Sequence, residues 1–588
     1  MQTVMKWLQG LLLTILISWG SITLAKGATV CASRTGMIPN DVSAAQKNAK
    51  ILANAINSGK TVKINKTFYI GESSVDIVSD VNIKGTRSGK LILTGGKAFK
   101  LGKPVSISVS KFFVGTKGGV SAESSPILFM AEKPLVHKDV NFSKMVVDGV
   151  RLYSQKRDEG YTGDLGLRKL VVSNNDVKSV GRHLIYLADC KADEVMIADN
   201  RVTNMLSIAF LIGLNDISDK QKMVDRVIIT NNSFDNSGVV LEDDYSYTYH
   251  TPFIVEANRC ECTGNEFKHF VSIATKPIAL YAAYLSCNRV VFDHNKIVDC
   301  IALGNSTYNE VFKCKSAPTK GEYRQLTDNE FVVTKELIER YRLGEMPKVS
   351  LLGIQMTAMD TVIMNNNKVN LACDFVFGAT TQCEYKLFRC ENNSFAYRKY
   401  GKAAKQLIRL RPSKGARGKI VIRNNTMSPQ QEAEDVFGLY AYDSDNYAIT
   451  IEDNILSGAL PYGDNDGKAH QETTLSSKNN HINLGSYSGA IRIAQEMDAD
   501  DEISGGKEYQ IRIYSTDKNR GSISWTFRNS KPASILPVYS GSNNVDYSVE
   551  WESSDSGNLS YSRKTKDNKY INKNSLNSKF KVSYFRKL

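Results

Sequence analysis

Past its first 25 residues, this 588-residue chain contains no apolar run long enough to cross a bilayer. Its ten cysteines have neither the spacing of a zinc-binding knuckle nor the density of a small disulfide scaffold. These deficits argue against a helical membrane protein, a zinc-finger protein and a cystine-rich miniprotein. We therefore expect no stable membrane insertion of the part of the chain that follows residue 25.

The chain is nevertheless long and rich enough in apolar residues to bury a large core. Hydrophobic residues make up 42% of it and charged residues 23%. A chain of this length exceeds the usual size of one compact domain. The composition predicts either several domains or one elongated repeat domain.

Residues 1–25 have the pattern of a secretory signal peptide. Lys6 precedes an apolar run from Leu11 to Ile17, and small residues surround Ala25. The alternative, a membrane anchor, is less favoured because the apolar run is short. We expect a secreted or periplasmic protein, with association to the cell surface as a further option.

The net charge of +14 indicates a polyanionic partner. For an exported chain, an acidic polysaccharide fits better than nucleic acid, and the alternative is a solvated basic surface without a partner. Nothing in the sequence favours one oligomeric state.

A repeated frame dominates the middle of the chain. In "VIITNN", apolar residues stand five and three positions before Asn232, and another stands two positions after it. Ten asparagines, 25 to 38 residues apart, share this frame: Asn175, Asn200, Asn232, Asn265, Asn295, Asn329, Asn367, Asn393, Asn425 and Asn454. The members around Val150 and Asn329 match less well, and the repeat is expected to stop after Asn454.

The frame predicts one short strand per repeat, followed by a turn. Alternating apolar residues bury one face of a strand, and we expect the framed asparagine to adopt the left-handed conformation that ends it. Strands stacked about 4.8 Å apart would bring these amides into a hydrogen-bonded ladder. The alternative, ordinary surface turns or glycosylation sequons, does not predict the flanking apolar residues.

This frame resembles the coils of right-handed parallel β-helix proteins of the pectin-lyase-like superfamily, over roughly residues 40–460. The resemblance implies an all-β solenoid at 61–460 after an N-terminal cap at 26–60. The capping helix would carry Ala44, Ala45, Ala49, Leu52 and Ile56 on its apolar side. Alternating patterns such as "YQIRIYS" predict a C-terminal antiparallel β domain at 475–588.

The resemblance does not extend to the catalytic motifs of the family. Asp243 and Asp244 with Arg417-Gly418-Lys419 echo the polygalacturonase set, but the chain lacks its Gly-His-Gly. The lyase motif Trp-Ile-Asp-His is absent too, because Trp525 and Trp551 are the only tryptophans after the signal. The chemistry must therefore be inferred from other residues.

The segment "VVLEDDYSYTYH", residues 239–250, is one candidate site. Asp243 and Asp244 are predicted metal ligands, and calcium is the only cofactor that the sequence suggests. Tyr249 and His250 are predicted to bind substrate, since tyrosine rings stack on sugars. A solvated loop is the alternative.

The second candidate, residues 398–423, holds ten lysines and arginines and no acid. Because Ile408 and Leu410 alternate inward, Arg409 and Arg411 should project outward on the strand that faces substrate in the family. We predict catalysis by Arg409 and Arg411 with Tyr440 and Tyr442. The predicted contacts to an anionic substrate are Lys402, Lys405, Lys414 and Arg417.

These residues favour a lyase that cleaves a uronic-acid polysaccharide by β-elimination, because the candidate cleft is richer in Lys, Arg and Tyr than in paired carboxylates. Two alternatives stay open. One is a noncatalytic glycan-binding or cell-surface protein on the same scaffold, and the other is a glycoside hydrolase of the polygalacturonase type.

Overall fold

The computed structural model describes residues 28–71 and, with gaps in the connecting segments, the strands between residues 75 and 582. Side chains are described chiefly for residues 28–71 and 192–483. The predicted signal peptide lies outside the described residues. No helix in the described part of the chain is both long and apolar enough to span a bilayer.

The fold is all-β and mostly parallel, with strands from successive repeats stacked into three columns, as in a parallel β-helix. We name the columns stack A, stack B and stack C, in the order in which one coil visits them. Two long strands, Tyr249–Thr263 and Ala283–Asp293, serve stack A with their first halves and stack B with their second halves. Every other strand of the three columns belongs to a single column.

The other strands of stack A are Leu152–Tyr153, Ile185–Leu187, Ile208–Ile212, Glu310–Cys314, Leu352–Met356, Phe375–Gly378, Gln406–Leu410, Phe437–Ala441 and Leu460–Gly463. The other strands of stack B are Thr29–Cys31, Thr61–Ile64, Val81–Gly85, Ile107–Ser110, Asp139–Ser143, Leu167–Ser173, Ala192–Ala198, Val224–Thr230, Tyr323–Thr327, Thr361–Asn365, Leu387–Glu391, Arg417–Arg423, Asn446–Glu452 and Thr474–Lys478. The strands of stack C are Thr67–Gly71, Lys90–Leu93, Phe113–Thr116, Val146–Val147, Asp176–Lys178, Arg201–Thr203, Ser233–Asp235, Glu266–Lys268, Lys296–Val298, Glu330–Val332, Lys368–Ala372, Ser394–Arg398, Thr426–Pro429, Ile455–Ser457, His481–Asn483 and Ala499–Ser504.

Smaller sheets lie beside these columns. Two are three-stranded and parallel: Val75–Ile77, Lys97–Leu101 and Ile127–Ala131, and Val240–Leu241, Val271–Ser272 and Ile301–Ala302. Ala279–Leu280 pairs with the start of the long strand Tyr249–Thr263.

The repeated apolar residues form the interior of the coils. Val227 and Ile229 are fully buried and lie in register with Cys260 and Cys262 of the next coil, which are also buried. Phenylalanine rings continue the stacking, with centroids 5.5 Å apart between Phe234 and Phe267. Burying a side chain of this size stabilises a fold by roughly 1.5–3 kcal/mol, so each coil gains stability from the neighbour that covers it.

One coil places charge in this interior. Arg324 occupies the position that is Val290 in the coil before and Val362 in the coil after, and its side chain has no exposed surface. Its guanidinium donates to the carbonyl of Asn288 at 2.7 Å and lies 3.6 Å from the equally buried carboxylate of Glu322. The arginine explains why the repeat around Asn329 matches the apolar frame less well.

The framed asparagines form the predicted ladder. In every coil from Asn200 to Asn454, the side-chain amide donates to the Oδ1 atom of the next asparagine at 2.8–3.2 Å. The backbone N–H of each also donates to that Oδ1 at 2.8–3.0 Å. A carbonyl of the preceding coil accepts the second amide proton, as Ile197 does from Asn232 at 2.9 Å. Asn175 lies outside the described residues.

The structure corrects the assignment of the turn conformation. The left-handed residue is the one before each ladder asparagine: Asn231 has φ of 53° and Gly264 has φ of 67°. The ladder asparagine itself has no positive φ. Its amide must point inward to meet its neighbours, so the reversal of the chain falls to the preceding residue.

The expectation that the repeat stops after Asn454 is wrong. Asn480 accepts from the amide of Asn454 at 2.9 Å and continues the ladder. Ser477 stands where the frame has an apolar residue, and its hydroxyl accepts from the Asn480 amide at 3.1 Å. Because Ser477 is polar, the apolar frame does not detect this coil.

The last strands mix two arrangements. Ala499–Ser504 extends stack C in parallel with His481–Asn483, and Lys579–Val582 pairs with it antiparallel. In a second sheet, Ser488–Gln495 is parallel to Glu508–Tyr514, and Ser522–Arg528 and Lys531–Val538 follow antiparallel. A third, antiparallel sheet contains Asp546–Trp551, Leu559–Lys564 and Tyr570–Leu576. A separate C-terminal domain stays a prediction.

In the described part of the chain, a short 3-10 helix, Ala32–Arg34, and two α-helices accompany the stacks. Helix α1, Ala45–Asn57, buries Leu52 and Ile56 against the first coil, and Asn48 accepts from the Ile38 N–H at 2.8 Å. Its role as a cap stays a prediction. Helix α2, Lys335–Arg340, follows a strand of stack C and is capped by Thr334, whose hydroxyl accepts from the Leu337 N–H.

Candidate functional site

The outer side of stack A carries a row of side chains in register. Residues paired across parallel strands point to the same side of a sheet, and the neighbours of this row along each strand are buried in the coil interior. We call it the outward row. The register starts at Tyr153 and Tyr186, whose side chains lie outside the described residues, and continues through Leu211, Ile254, Tyr284, Lys313, Gln355, Gly378, Arg409, Tyr440 and Gly463.

The row is apolar at Leu211 and Ile254. Ile208, Leu211 and Ile254 form a small hydrophobic cluster that is separate from the main core, and Tyr284 packs against it. Leu211 and Ile254 are nearly buried although they belong to the outward row. The apolar section therefore supports the tyrosine that follows it in the row.

Lys313 is the first cation of the row and lies between two tyrosines. Its ammonium nitrogen donates to the hydroxyl of Tyr281 at 3.0 Å and lies 4.9 Å and 5.4 Å from the ring centroids of Tyr281 and Tyr284. Both distances are within the range of a cation–π contact. Lys313 is half-buried, so its charge is held in place at the surface of the coil.

Arg409 is the second cation of the row. It lies between buried Ile408 and Leu410, is half-buried itself, and is in register with Gly378 before it and Tyr440 after it. Tyr440 belongs to the next coil, so its backbone is one strand spacing away, about 4.8 Å. The side chain of Tyr440 lies outside the described residues.

The two cations belong to separate sites. Three strand steps, about 14 Å, separate Lys313 from Arg409. Gln355 and Gly378, which lie between them in the row, are buried. The row therefore has two cations, Lys313 and Arg409, with a closed section between them.

The basic run 398–423 is divided between two stacks. Arg411 follows the stack A strand and is half-buried, whereas Arg417 is exposed on a strand of stack B. Arg423 also lies on stack B, where its guanidinium contacts Glu452 at 2.7 Å. Between Arg411 and Arg417, the chain turns at Gly415, which has φ of 79°. Arg417 is thus not on the same stack as Arg409.

The other predicted residues of this region lie outside the described residues: Lys402, Lys405, Lys414 and Tyr442. So do Asp243 and Asp244, and the predicted calcium site rests on them.

The structure describes the end of the acidic segment. Tyr249 is 40% exposed and lies beside Ala279 of the next coil. His250 is fully buried, with its Nε2 atom 2.9 Å from the amide nitrogen of Asn236 and its ring beside Phe270. A ring without exposed surface does not contact a glycan, so we leave His250 out of the site.

Buried thiols do not add chemistry to this region. Cys262, Cys300, Cys314 and Cys390 are free and buried. Loss of hydration raises the pKa of Cys314 to about 12, despite the opposing effect of nearby Arg324. Thiols in this state are protonated at neutral pH and are poor nucleophiles.

One group of described side chains has the composition of a metal site. Asp293, His294 and Asp328 lie at the turn between stack B and stack C, with one ligand atom of each within 4.8 Å of the others. This group lies at a turn, whereas the outward row lies on the strands of stack A.

Comparisons with known proteins give little further guidance. No protein-family model matches the chain, and no curated protein matches it. A solved structure from Geobacillus virus E2, ORF18, is similar over 93% of this chain and 76% of that chain, with 13% identity and a TM-score of 0.15. A TM-score this low supports no inference about fold or function.

Proposed function

We propose that this protein is an exported right-handed parallel β-helix protein of the pectin-lyase-like kind that cleaves a uronic-acid polysaccharide by β-elimination. The observation that carries the proposal is the outward row of stack A. Lys313 and Arg409 occupy the same position on different strands, and each is in register with a tyrosine, Tyr284 and Tyr440.

The chemistry of elimination fits a cation beside a tyrosine. A base removes the proton from the carbon next to the carboxylate, a carbon–carbon double bond forms, and the glycosidic carbon–oxygen bond breaks. The departing oxygen then takes up a proton. A cation that pairs with the carboxylate makes the first proton easier to remove, because negative charge develops there in the transition state.

We assign Arg409 to the carboxylate of the reacting sugar, because its planar guanidinium can hold both carboxylate oxygens. Tyr440, and Arg411 two residues further along the chain, would supply the base and the acid. Lys313 with Tyr281 and Tyr284 would bind a second part of the polymer, with a ring for the sugar face and an ammonium for the acid.

The composition of the row makes a hydrolase less suitable. Glycoside hydrolases of the usual type need a pair of carboxylates on either side of the bond. None of the described members of the outward row is a carboxylate. We therefore place the hydrolase alternative behind the lyase.

The test is a panel of polygalacturonate, alginate and hyaluronan, monitored by the ultraviolet absorbance of the unsaturated product. Arg409→Ala should lower kcat/KM by about 10²-fold or more, the usual cost of removing one stabilising donor. Lys313→Ala should mainly raise KM. Lys419→Ala, an exposed lysine of the same basic run on stack B, should change neither.

The noncatalytic alternative makes a different forecast for the same variants. The outward row would then retain an anionic polymer in a salt-dependent way without any product, and both Arg409→Ala and Lys313→Ala would weaken that retention. Reducing ends without unsaturated product would indicate hydrolysis. Unchanged activity and retention in both variants would remove stack A as the site.

A further inference from the structure

His294 stands at a position that does not need a histidine. It is the left-handed residue before ladder Asn295, with φ of 52°. Glycine, asparagine and aspartate adopt this conformation most readily. The other nine described ladder turns, from Asp199 to Asn479, use only those three residue types: Asp199, Asn231, Gly264, Asp328, Asn366, Asn392, Asn424, Asp453 and Asn479.

The imidazole lies between two carboxylates from successive coils. Its Nδ1 atom is 2.8 Å from the Oδ2 atom of Asp293, and its Nε2 atom is 4.0 Å from the Oδ2 atom of Asp328. Asp293 thus fixes the orientation of the ring. Nε2 points toward the left-handed residue of the next coil.

The surroundings favour a cation. The two carboxylates carry negative charge, and the nearby Lys296 lies 3.5 Å from a different acid, Glu330. The side chains of His294 and Asp328 are 63% and 38% exposed, so an ion can reach both. As a plain surface ion pair, the group would contribute only about 0–1 kcal/mol.

We propose that His294 and Asp328 bind a divalent transition-metal ion of the zinc class. Bonds from zinc to imidazole nitrogen and to carboxylate oxygen are about 2.0–2.2 Å long, so one ion fits between atoms 4.0 Å apart after a small rotation of Asp328. Asp293 accepts the Nδ1 proton and holds the tautomer that leaves Nε2 to the metal. Water completes the coordination.

The ligand types select the class of metal. Imidazole suits zinc, nickel and copper, whereas calcium and magnesium prefer oxygen ligands. The ion would join two successive coils at the turn beside the ladder. It would thereby stabilise the folded chain without touching the outward row.

The experiment uses the full chain, purified without a histidine tag and treated with a chelator. Calorimetric titration with zinc chloride should show a single ion bound per chain, and zinc should raise the Tm in a saturable way. Calcium chloride at the same concentration should do neither.

His294→Asn is the decisive variant, because asparagine occupies the same turn position in other coils, such as at Asn231 and Asn366. It should keep the Tm of the chelator-treated protein and lose the zinc-dependent rise. Asp328→Asn should behave in the same way, and His481→Asn, an exposed histidine on stack C, should keep the response. An equal zinc response in wild type and His294→Asn, or no response in wild type, would overturn the site.

Discussion

Two neighbouring asparagines in one turn have different physical tasks. Asn231 adopts the left-handed conformation, which needs tolerance of a positive φ, and its side chain is exposed. Asn232 is buried, and its Oδ1 atom accepts from both the backbone N–H and the side-chain amide of Asn200. Position 231 requires a residue that tolerates a positive φ. Position 232 requires a short side chain that both donates and accepts hydrogen bonds.

This division of tasks predicts that substitutions at the two positions differ in their effect on the free energy of unfolding. Asn232→Ala should lower the free energy of unfolding by about 1–3 kcal/mol, because two buried donors of Asn200 lose their acceptor. Asn231→Gly should change it by only a few tenths, since Gly264 occupies the equivalent place in the next coil. Urea unfolding followed by circular dichroism measures both. Equal effects would contradict the separation of roles.

The residue scale also shows where the sequence is informative. Apolar residues at fixed offsets located every ladder asparagine except Asn480, because burial leaves a pattern that can be seen in the letters alone. The left-handed residue could not be separated from its neighbour in "NN" doublets, since both are asparagine. Arg324 resembled a defect in the pattern, and only the packing shows that it is an interior residue.

At the scale of elements, close approach of neighbouring strands decides which residues fit. Gly418 lies in the stack B strand Arg417–Arg423, against the backbone of the preceding coil. A Cβ atom at this position would overlap the carbonyl oxygen of Tyr385 and lie 2.9 Å from both the Lys386 carbonyl oxygen and the Tyr447 ring. Backbone atoms cannot move aside as a flexible side chain can.

Gly418→Ala should therefore destabilise the protein by about 1–3 kcal/mol, the usual cost of overpacking. The expected signal is a lower Tm with an unchanged far-ultraviolet spectrum. Ala448→Ser, at an exposed position in the adjacent strand of the same stack, is the matched control and should be nearly neutral. A Gly418→Ala variant as stable as this control would show that the strands separate easily.

The elements also explain what could be foreseen of the candidate site. Alternation around Ile408 and Leu410 correctly indicated that Arg409 lies between buried residues. Lys313 was missed, although a lysine between buried Phe312 and Cys314 carries the same signal. The sequence groups Arg417 with Arg409, because a strand pattern does not show where the chain passes from one stack to the next.

On the scale of the whole molecule, the three stacks separate the features along the surface. Stack A carries the outward row, and the turn between stack B and stack C carries the ladder and His294. Coils contact mainly their neighbours, and the two features share coils: the strand Ala283–Asp293 carries Tyr284 and leads into His294, and Lys313 and Asp328 lie in the next coil. The Tm of each variant without zinc should therefore be compared with that of the wild type before its activity or zinc response is interpreted.

Glu322 and Arg324 are buried in the same coil, so the coupling between two interior charges can be measured there. Glu322→Leu should destabilise the protein by about 3–5 kcal/mol, because it leaves the buried Arg324 guanidinium without its counter-charge. Adding Arg324→Val, the residue of both adjacent coils, should recover much of the loss. Denaturant unfolding of the single and double variants gives the coupling energy. A double variant no more stable than Glu322→Leu would mean that the pair is not coupled.

Solenoids lengthen during evolution by duplicating a coil, and Arg324 limits where that can occur. A copy of its coil inserted next to the original would place two guanidinium groups one strand spacing apart in the interior. Only apolar residues, such as Val290 and Val362, occupy this position in the flanking coils. Coils elsewhere in the stack carry no such charge among the described core positions. We therefore expect relatives of different length to differ by coils elsewhere in the stack, and to keep a single charged coil.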